Sequence, residues 1–333
     1  MENRPLIGVT LGDPAGVGPE IVARALAQES LHGRARLVVI GSAPVVRAAL
    51  KLVGSSLSVH PIQNPAHGIF SSGTLELIDL ANLDFDSLVP GVAQPVAGRA
   101  AFQYVQRAIE MAMAGTIDAI ATAPINKEAL KAGGVPYIDH TEMLAKLTDS
   151  PHPMTMFALE NMRIFFLTRH VPLAEACHQI TTELVLQGLQ HADRELRRLG
   201  IAKPRIAVAA LNPHGGEGGL FGMEEIRQIA PAVEEARRRG MDVAGPVPAD
   251  SVFFLNRRGK FDAVLSLYHD QGHIAAKTVD FERTVSVTLG LPFLRTSVDH
   301  GTAFDIAWKG IASAVGMEES IRVAAEYAPL FRR

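Results

Sequence analysis

The chain has a single cysteine, no block of basic residues and no long apolar run at its start. Because Cys177 has no second cysteine to pair with, an intrachain disulfide is excluded. A content of one cysteine fits a protein of a reducing compartment. The 35 acidic and 32 basic residues give a net charge of −3, without the basic patch of a nucleic-acid-binding protein. The charged N-terminal segment resembles neither a signal peptide nor a membrane anchor. We therefore expect a soluble, cytoplasmic protein that binds neither nucleic acid nor membrane.

Apolar runs alternate with segments of helical periodicity along the 333 residues, a length that suggests about two domains. Residues 51–97 are weakly patterned. Helical spacing is clear over residues 102–113, 186–199 and 223–240. Strands are predicted over residues 5–11, 36–41, 117–124, 163–170, 205–214, 263–268 and 283–289. This alternation predicts a mostly parallel α/β sheet, and the absence of a flexible linker favours interleaved domains.

A glycine-rich segment, 12–20, follows the first predicted strand and precedes a helix. This layout points backbone N–H groups at an anion in many nucleotide-binding proteins. However, the G-x-x-x-G-x-G spacing is neither a Walker loop nor a Rossmann fingerprint. Two interpretations therefore stay open, a ligand-binding loop and a tight structural turn, and we favour the turn.

Three histidines stand at the ends of three predicted strands: His170, His214 and His269. Ligands of open α/β sheets collect at the carboxyl ends of strands. Three neutral imidazoles that leave open coordination positions are an established arrangement for a catalytic divalent metal. Each histidine alone is more often a hydrogen-bonded loop residue, but three equivalent positions raise the odds of a metal site to about even.

A lysine and an arginine follow the third histidine. Arg295 comes directly after the apolar residues 291–294, where an unpaired charge is costly, so it requires a carboxylate or phosphate partner. Lys277 otherwise fits an ordinary solvated helix face. Together with a Lewis-acid metal, the two cations predict chemistry on a small anionic hydroxy acid, in which a hydroxyl is oxidised and a β-carboxylate is then lost. These residues do not indicate which cofactor is used.

The sequence resembles the 4-hydroxythreonine-4-phosphate dehydrogenase family, and the shared motifs extend over nearly the whole chain. They are Gly12-Asp13-Pro14-Ala15-Gly16-Val17-Gly18-Pro19-Glu20, His140-Thr141-Glu142, Asn212-Pro213-His214-Gly215-Gly216-Glu217, Gly245-Pro246-Val247-Pro248-Ala249-Asp250-Ser251, Tyr268-His269-Asp270-Gln271-Gly272 and the run from Leu289 to Ala303.

The resemblance implies a two-domain α/β/α fold like that of isocitrate and isopropylmalate dehydrogenases, with the active site in the cleft. One domain would hold residues 1–128 and 300–333, and the other residues 129–299. It further implies a homodimer with a shared active site, NAD or NADP as the cofactor, and a divalent metal such as Zn, Mg or Co.

The same resemblance assigns roles to individual residues. It places the metal ligands at the three histidines described above, and the catalytic groups at Lys277 and Asp250. The substrate contacts fall on His140, Thr141, Lys277, Ser286 and Arg295.

Two positions differ from the enzyme of vitamin B6 synthesis. Ser286 stands where that enzyme has an asparagine, and Asp139 stands where a glycine usually precedes the His-Thr-Glu motif. Because serine lacks the paired donor and acceptor of an amide, a different substrate is favoured. We expect the branch acting on D-threonate or D-erythronate 4-phosphate, with dihydroxyacetone phosphate and CO₂ as products from threonate phosphate. The alternatives are 4-hydroxythreonine 4-phosphate oxidation, and a metal-dependent hydrolase or non-catalytic sugar-phosphate-binding protein.

Overall fold

The structure is a computed structural model that describes residues 4–331. The described chain forms two compact units, one of residues 4–153 and 285–331 and the other of residues 154–284. We call them unit 1 and unit 2. Among the described residues, no helix is both long enough and apolar enough to cross a membrane.

The described residues form twelve strands. They are β1 (Leu6–Thr10), β2 (Arg36–Gly41), β3 (Ser58–Ile62), β4 (Thr74–Asp79), β5 (Ala119–Thr122), β6 (Met154–Leu159), β7 (Met162–Phe166), β8 (Arg205–Ala209), β9 (Asp242–Val247), β10 (Ala263–Ser266), β11 (Val285–Leu289) and β12 (Leu294–Val298).

Most strands within each unit pair in parallel. In unit 1 the order is β3-β4-β2-β1-β5-β12-β11, and only the β11–β12 pair is antiparallel. In unit 2 the order is β6-β7-β10-β8-β9, and only the β6–β7 pair is antiparallel. The predicted fold class, a mostly parallel α/β protein, is therefore confirmed.

Helices connect the strands. They are α1 (Gly18–Leu26), α2 (Glu29–His32), α3 (Ala43–Leu52), α4 (Pro95–Met113), α5 (Lys127–Ala132), α6 (His140–Leu147), α7 (Leu173–Gln179), α8 (Thr182–Arg198), α9 (Ala230–Arg238), α10 (Ala249–Arg257), α11 (His269–Val279) and α12 (Val315–Tyr327). Short 3₁₀ segments cover Pro65–His67 and Phe85–Ser87, a left-handed turn lies within Pro213–Gly219, and a π-helical turn, Glu225–Ile229, leads into α9.

The helical periodicity of residues 102–113 correctly located α4. Its buried positions include Ala101, Tyr104, Val105 and Ala108, the three- and four-residue spacing of a helix with one apolar face. By contrast, the weakly patterned region 51–97 conceals strands β3 and β4. β3 is an edge strand with mostly accessible residues and an internal proline, so it lacks the apolar run that marks a buried strand.

The unit boundaries lie at different positions from those that the sequence analysis placed at 128/129 and 299/300. In the structure, residues 129–153 and 285–299 group with unit 1. The reason for the second difference is strand pairing. β12 lies parallel to β5 and antiparallel to β11, so both late strands are hydrogen-bonded into the sheet of unit 1.

Candidate functional site

The three histidines follow three neighbouring strands of unit 2. β10 lies between β7 and β8 and is parallel to both, so their carboxyl ends share one edge of the sheet. His170, His269 and His214 come after β7, β10 and β8, respectively. The strands themselves end earlier than predicted, and the histidines lie in the following loops or at a helix start. The φ angles of 27° at His170 and 53° at His214 are incompatible with a continuing strand.

The structure brings His170 and His269 together. Their ring centroids lie 5.8 Å apart, and both rings line a cavity of about 320 Å³ with Arg169 and Tyr268. The Nδ1 atom of His269 lies 2.6 Å from a carboxylate oxygen of Asp270. This hydrogen bond fixes the ring and leaves Nε2 as the atom available to a ligand.

His273 supports His269 from the next turn of α11. The two rings stack in nearly parallel planes with centroids 3.6 Å apart, and His273 Nδ1 lies 2.8 Å from the His269 carbonyl oxygen. The ring centroids of Phe157 and Phe166 lie 4.4 and 4.5 Å from the ring centroid of His273. His269 is therefore held by a packed aromatic group as well as by Asp270.

His214 is placed differently from the other two. It is exposed and begins a left-handed turn, residues 214–218, in which every φ is positive. It is absent from the residues that line the His170–His269 cavity, and its ring centroid lies 6.4 Å from that of Phe221. Across residues 4–331, no group of three or more His, Cys, Asp or Glu is arranged to hold a metal ion. The donor types and the His170–His269 pair suit a divalent metal, but the predicted triad is not assembled.

The two predicted catalytic residues of unit 2 lie apart. Lys277 lines a cavity of about 340 Å³ together with His269 and His273, and its Nζ atom lies 4.9 Å from the ring centroid of Phe281. Asp250 is exposed in the first turn of α10, directly after β9. It lines neither of the two cavities that contain His269.

Arg295 lies in unit 1 and is almost fully buried, with 4% of its surface exposed. Its Nε and Nη2 atoms donate to Thr122 Oγ1 at 3.1 and 2.6 Å, and Nη1 donates to Thr288 Oγ1 at 3.1 Å. Within the described chain, none of these bonds reaches a carboxylate. Burial lowers the pKa of Arg295 from 12.5 to about 10, and attraction to Asp139 and Asp299 offsets only part of this effect.

His140, the first residue of α6, is buried beside this arginine. Burial, and then repulsion by the Arg295 charge, hold the pKa of His140 well below its usual range, so its ring is neutral. Its buried Nε2 atom has no hydrogen-bond partner in the described part of the protein. A buried imidazole nitrogen without a partner marks a position where a ligand atom gains a hydrogen bond. Thr141 follows it and is half-buried.

The unexpected Asp139 has a structural role. Its Oδ1 atom accepts the Glu142 N–H at 3.0 Å and caps α6, while Glu142 Oε2 accepts the Ile138 N–H at 2.7 Å. This arrangement is close to a capping box, and the D-x-x-E spacing was the sequence signal for it. Asp139 thus fixes the start of the helix that carries His140 and Thr141.

Ser286 shares a sheet face with Arg295. In the antiparallel pair, Ser286 lies opposite Ser297 and Thr288 opposite Arg295, while Thr122 of β5 is in register with Ser297. Because directly opposed residues point to the same side of a sheet, all five side chains belong to one face. Of these five side chains, four carry hydroxyl groups and one, Arg295, carries a positive charge.

The glycine-rich segment 12–20 is a structural turn, the interpretation we favoured. Its backbone N–H groups at Asp13, Gly16 and Val17 already donate to protein carbonyls, so they are not directed at a ligand. A Cβ atom on Gly18 would lie 2.2 Å from the Leu11 carbonyl oxygen, which explains the glycine. Asp13 is fully buried, and burial raises its pKa from 3.8 to about 6 against the lowering effect of the Ala15 N–H.

An open cavity of about 640 Å³ lies beyond the carboxyl ends of β5 and β12 in unit 1. Three parts of the chain line it, including the start of α5, and Asn126, Lys127, Glu128 and Thr302 supply its polar side chains. The sequence contained no fingerprint for this surface because the lining residues come together only through the strand order.

A parallel α/β architecture with a buried arginine and paired histidines is typical of enzymes that act on small anions, and the comparisons identify the class. Residues 33–324 match the family model described as "Pyridoxal phosphate biosynthetic protein PdxA". The chain belongs to this family of oxidoreductases, which act on CH–OH groups, and it is an enzyme. The resemblance found from the motifs is thereby confirmed.

Individual relatives cover the full chain. A protein from Symbiobacterium thermophilum named "Putative D-threonate 4-phosphate dehydrogenase" is 56% identical over 333 residues, which is 100% of this chain and 99% of the relative. Crystal structures of 4-hydroxythreonine-4-phosphate dehydrogenases are 45% identical. The one from Klebsiella pneumoniae covers 98% of both chains with a TM-score of 0.92, and the one from Burkholderia phymatum covers 100% of both with a TM-score of 0.88.

Proposed function

We propose that the protein is an NAD-dependent or NADP-dependent dehydrogenase of a four-carbon sugar acid 4-phosphate, either 4-phospho-D-threonate or 4-phospho-D-erythronate. The observation that carries this proposal is the full-length similarity, at 56% identity, to the relative from Symbiobacterium thermophilum, whose name contains the first of these acids, D-threonate 4-phosphate. The buried anion-binding features of unit 1 support the same substrate class, because this acid carries both a carboxylate and a phosphate.

Arg295 is the principal anion-binding residue of the proposal. Within the described chain, the hydrogen bonds of this buried guanidinium go to hydroxyl groups, and attraction to Asp139 and Asp299 offsets only part of the cost of burying its charge, so an anionic ligand would stabilise it. His140 adds a neutral ring with a free Nε2 atom, and Thr141 adds a hydroxyl at the start of the same helix. Lys277 is the second cation that we assign to the substrate.

The expected divalent metal, Zn, Mg or Co, remains part of the proposal, with His170, His214 and His269 as its ligands. His269 is prepared for this role because Asp270 holds its Nδ1 atom. His214 stands on an exposed turn with four glycines between residues 215 and 219, so its ring has few packing constraints. When bound, the metal would polarise the substrate hydroxyl and carbonyl oxygens as a Lewis acid.

The reaction itself follows from the substrate chemistry. The nicotinamide cofactor, when bound, would accept the hydride from C3, and Lys277 and Asp250 are our candidates for the base that takes the C3 hydroxyl proton. The resulting ketone lies β to the carboxylate. In threonate phosphate the C1–C2 bond then breaks, CO₂ leaves, and a proton adds to C2 to give dihydroxyacetone phosphate.

We assign the nicotinamide cofactor to unit 1, at the cavity of about 640 Å³ beyond β5 and β12. Open α/β sheets bind ligands at the carboxyl ends of their strands, and Lys127 provides a cation for the cofactor phosphates. This location also explains why a Rossmann fingerprint is not needed, since the lining loops are not those of the first β–α turn.

We also propose a homodimer whose partner completes the histidine-lined edge of unit 2. Large apolar side chains are exposed on each of the three elements that carry the histidines: Leu173 at 59%, Leu220 at 72% and Ile274 at 64%. Exposed apolar groups clustered around a polar site are typical of a protein interface. A sedimentation mass equal to one chain would contradict this assignment. A cytoplasmic location, expected from the single cysteine, completes the proposal.

A second candidate is 4-hydroxythreonine-4-phosphate dehydrogenase activity in pyridoxal phosphate synthesis. Both solved relatives at 45% identity carry that name. The two substrates differ at C2, which carries a hydroxyl group in the sugar acid and an ammonium group in the amino acid. Ser286 lies on the sheet face of Arg295, and we assign to it the discrimination between these two groups. The deciding experiment measures kcat/KM for each acid with NAD and with NADP. Higher kcat/KM for the amino acid would refute our assignment.

A further inference from the structure

Two hydroxyl groups hold Arg295 in place of the usual carboxylate, and a third hydroxyl contacts one of them. Thr122 Oγ1 accepts two of its N–H groups, Thr288 Oγ1 accepts a third, and Ser297 Oγ lies 3.1 Å from Thr122 Oγ1. We call these three residues the hydroxyl cradle. Each is buried, with between 1% and 5% of its surface exposed.

Thr122 is the central member of the cradle. Its oxygen receives the Nε and Nη2 donors of Arg295, and its own proton has two acceptors within reach, Ser297 Oγ at 3.1 Å and the Thr296 carbonyl oxygen at 3.4 Å. This geometry depends on strand register, because Thr122 is the last residue of β5 and lies beside Ser297 of β12. The Thr122 hydroxyl binds one edge of the guanidinium, the Nε–Nη2 edge, and with the Thr288 hydroxyl on Nη1 it sets the orientation of the group.

A cradle of neutral hydroxyl groups affects the charge of Arg295 differently from a carboxylate partner. A carboxylate would hold the arginine equally well but would cancel its charge and compete with an anionic ligand. Hydroxyl oxygens accept three of the N–H groups without cancelling the positive charge, which attraction to Asp139 and Asp299 offsets only in part. The cradle therefore separates the two tasks of orienting the guanidinium and neutralising it.

We propose that Thr122 is a positioning residue for anion binding, which acts by orienting Arg295 and does not itself contact the substrate. This inference rests on the proposed role of Arg295 in binding the substrate anion. It predicts that loss of the Thr122 hydroxyl weakens substrate binding and leaves the chemical step largely unchanged.

The test compares Thr122→Val with Thr122→Ser. The valine variant keeps the shape and removes the acceptor, so we expect KM for the sugar acid phosphate to rise at least about tenfold with kcat within about threefold of wild type. The serine variant keeps the hydroxyl and is expected to restore KM. Equal defects in both variants, or an unchanged KM in the valine variant, would overturn the inference.

Two further variants separate positioning from general destabilisation. Thr296→Val removes another buried threonine hydroxyl, which donates to the Ser320 carbonyl at 2.9 Å on the opposite face of the same sheet, so it should leave KM unchanged. Thr288→Val removes only one bond to Arg295 and should raise KM less than Thr122→Val. If Thr122→Val does not fold, an unchanged KM in Thr288→Val overturns the inference.

A binding measurement distinguishes failure of this inference from failure of the proposed function. Inorganic phosphate should raise the Tm of the wild-type protein and of Thr122→Ser, and raise it much less in Thr122→Val. If no sugar acid phosphate is oxidised but this pattern holds, only the proposed substrate is wrong. If phosphate stabilises wild type and Thr122→Val equally, or does not stabilise wild type, the cradle inference is wrong.

Discussion

Replacement of Arg295 by methionine should stabilise the protein while removing its activity. The lowered pKa, from 12.5 to about 10, corresponds to about 3 kcal/mol of folding free energy that the buried charge costs. Methionine removes this cost. It leaves Thr122 Oγ1 without two donors and Thr288 Oγ1 without one, and it loses some packing, together about 2 kcal/mol. The net expectation is a gain of about 1 kcal/mol, seen as a small rise in Tm.

The same change should severely impair catalysis. If Arg295 makes two charge-assisted hydrogen bonds to the substrate, their loss costs about 3–6 kcal/mol of transition-state binding, or about 10²–10⁴ in kcat/KM. The assay is the rate of NAD or NADP reduction with 4-phospho-D-threonate, paired with a thermal unfolding scan of the same preparation.

The control is Arg205→Met. Arg205 is exposed and forms a bidentate ion pair with Asp262 at 2.9 and 3.1 Å, so its removal should not raise Tm and should leave kcat/KM unchanged. The reasoning would be refuted if Arg295→Met kept wild-type kcat/KM, or if its Tm fell by more than that of the control. Either result would mean that Arg295 is a structural residue.

Three other changes test separate parts of the account. Asp13→Asn should gain stability relative to wild type as the pH rises from 4 to 6, reaching about 3 kcal/mol, because folding raises the Asp13 pKa and ionisation then destabilises the folded wild type. Urea unfolding at a series of pH values measures this difference. Lys127→Gln should raise KM for the nicotinamide cofactor about fivefold to tenfold and leave KM for the acid unchanged, with the exposed Lys51→Gln as a control in steady-state kinetics. His214→Ala should lower bound divalent metal, measured by elemental analysis, and abolish turnover without loss of circular dichroism.

Each of these three predictions has a contrary outcome. A constant stability difference across the pH series would show that Asp13 is not protonated on burial. An equal change in the cofactor KM of Lys127→Gln and Lys51→Gln would contradict the assignment of the cofactor to the unit 1 cavity. Full metal content in the His214→Ala protein would exclude His214 as a ligand and leave the His170–His269 pair to be explained differently.

Local patterns in the sequence predicted seven of the twelve strands in the described chain, the long helix α4 and the histidine positions after three strands. They did not predict where β7 and β8 end, because the positive φ angles at His170 and His214 depend on the loops that follow. The D-x-x-E signal at Asp139 was present but was interpreted as a substrate difference.

The surroundings of Arg295 were beyond sequence reasoning for another reason. The apolar residues before it correctly suggested a buried cation, and its anionic partner stays a prediction. However, Thr122 lies 173 residues away in the chain, and only the pairing of β5 with β12 brings its hydroxyl to the guanidinium. Register between distant strands cannot be read from a single sequence, so the hydroxyl cradle required the structure.

The most direct test of the proposed function is the product balance with 4-phospho-D-threonate labelled at C1. The account predicts that each reduced cofactor is accompanied by one labelled CO₂ and one dihydroxyacetone phosphate. Turnover confined to 4-hydroxythreonine 4-phosphate, or cofactor reduction in the absence of labelled CO₂, would contradict it.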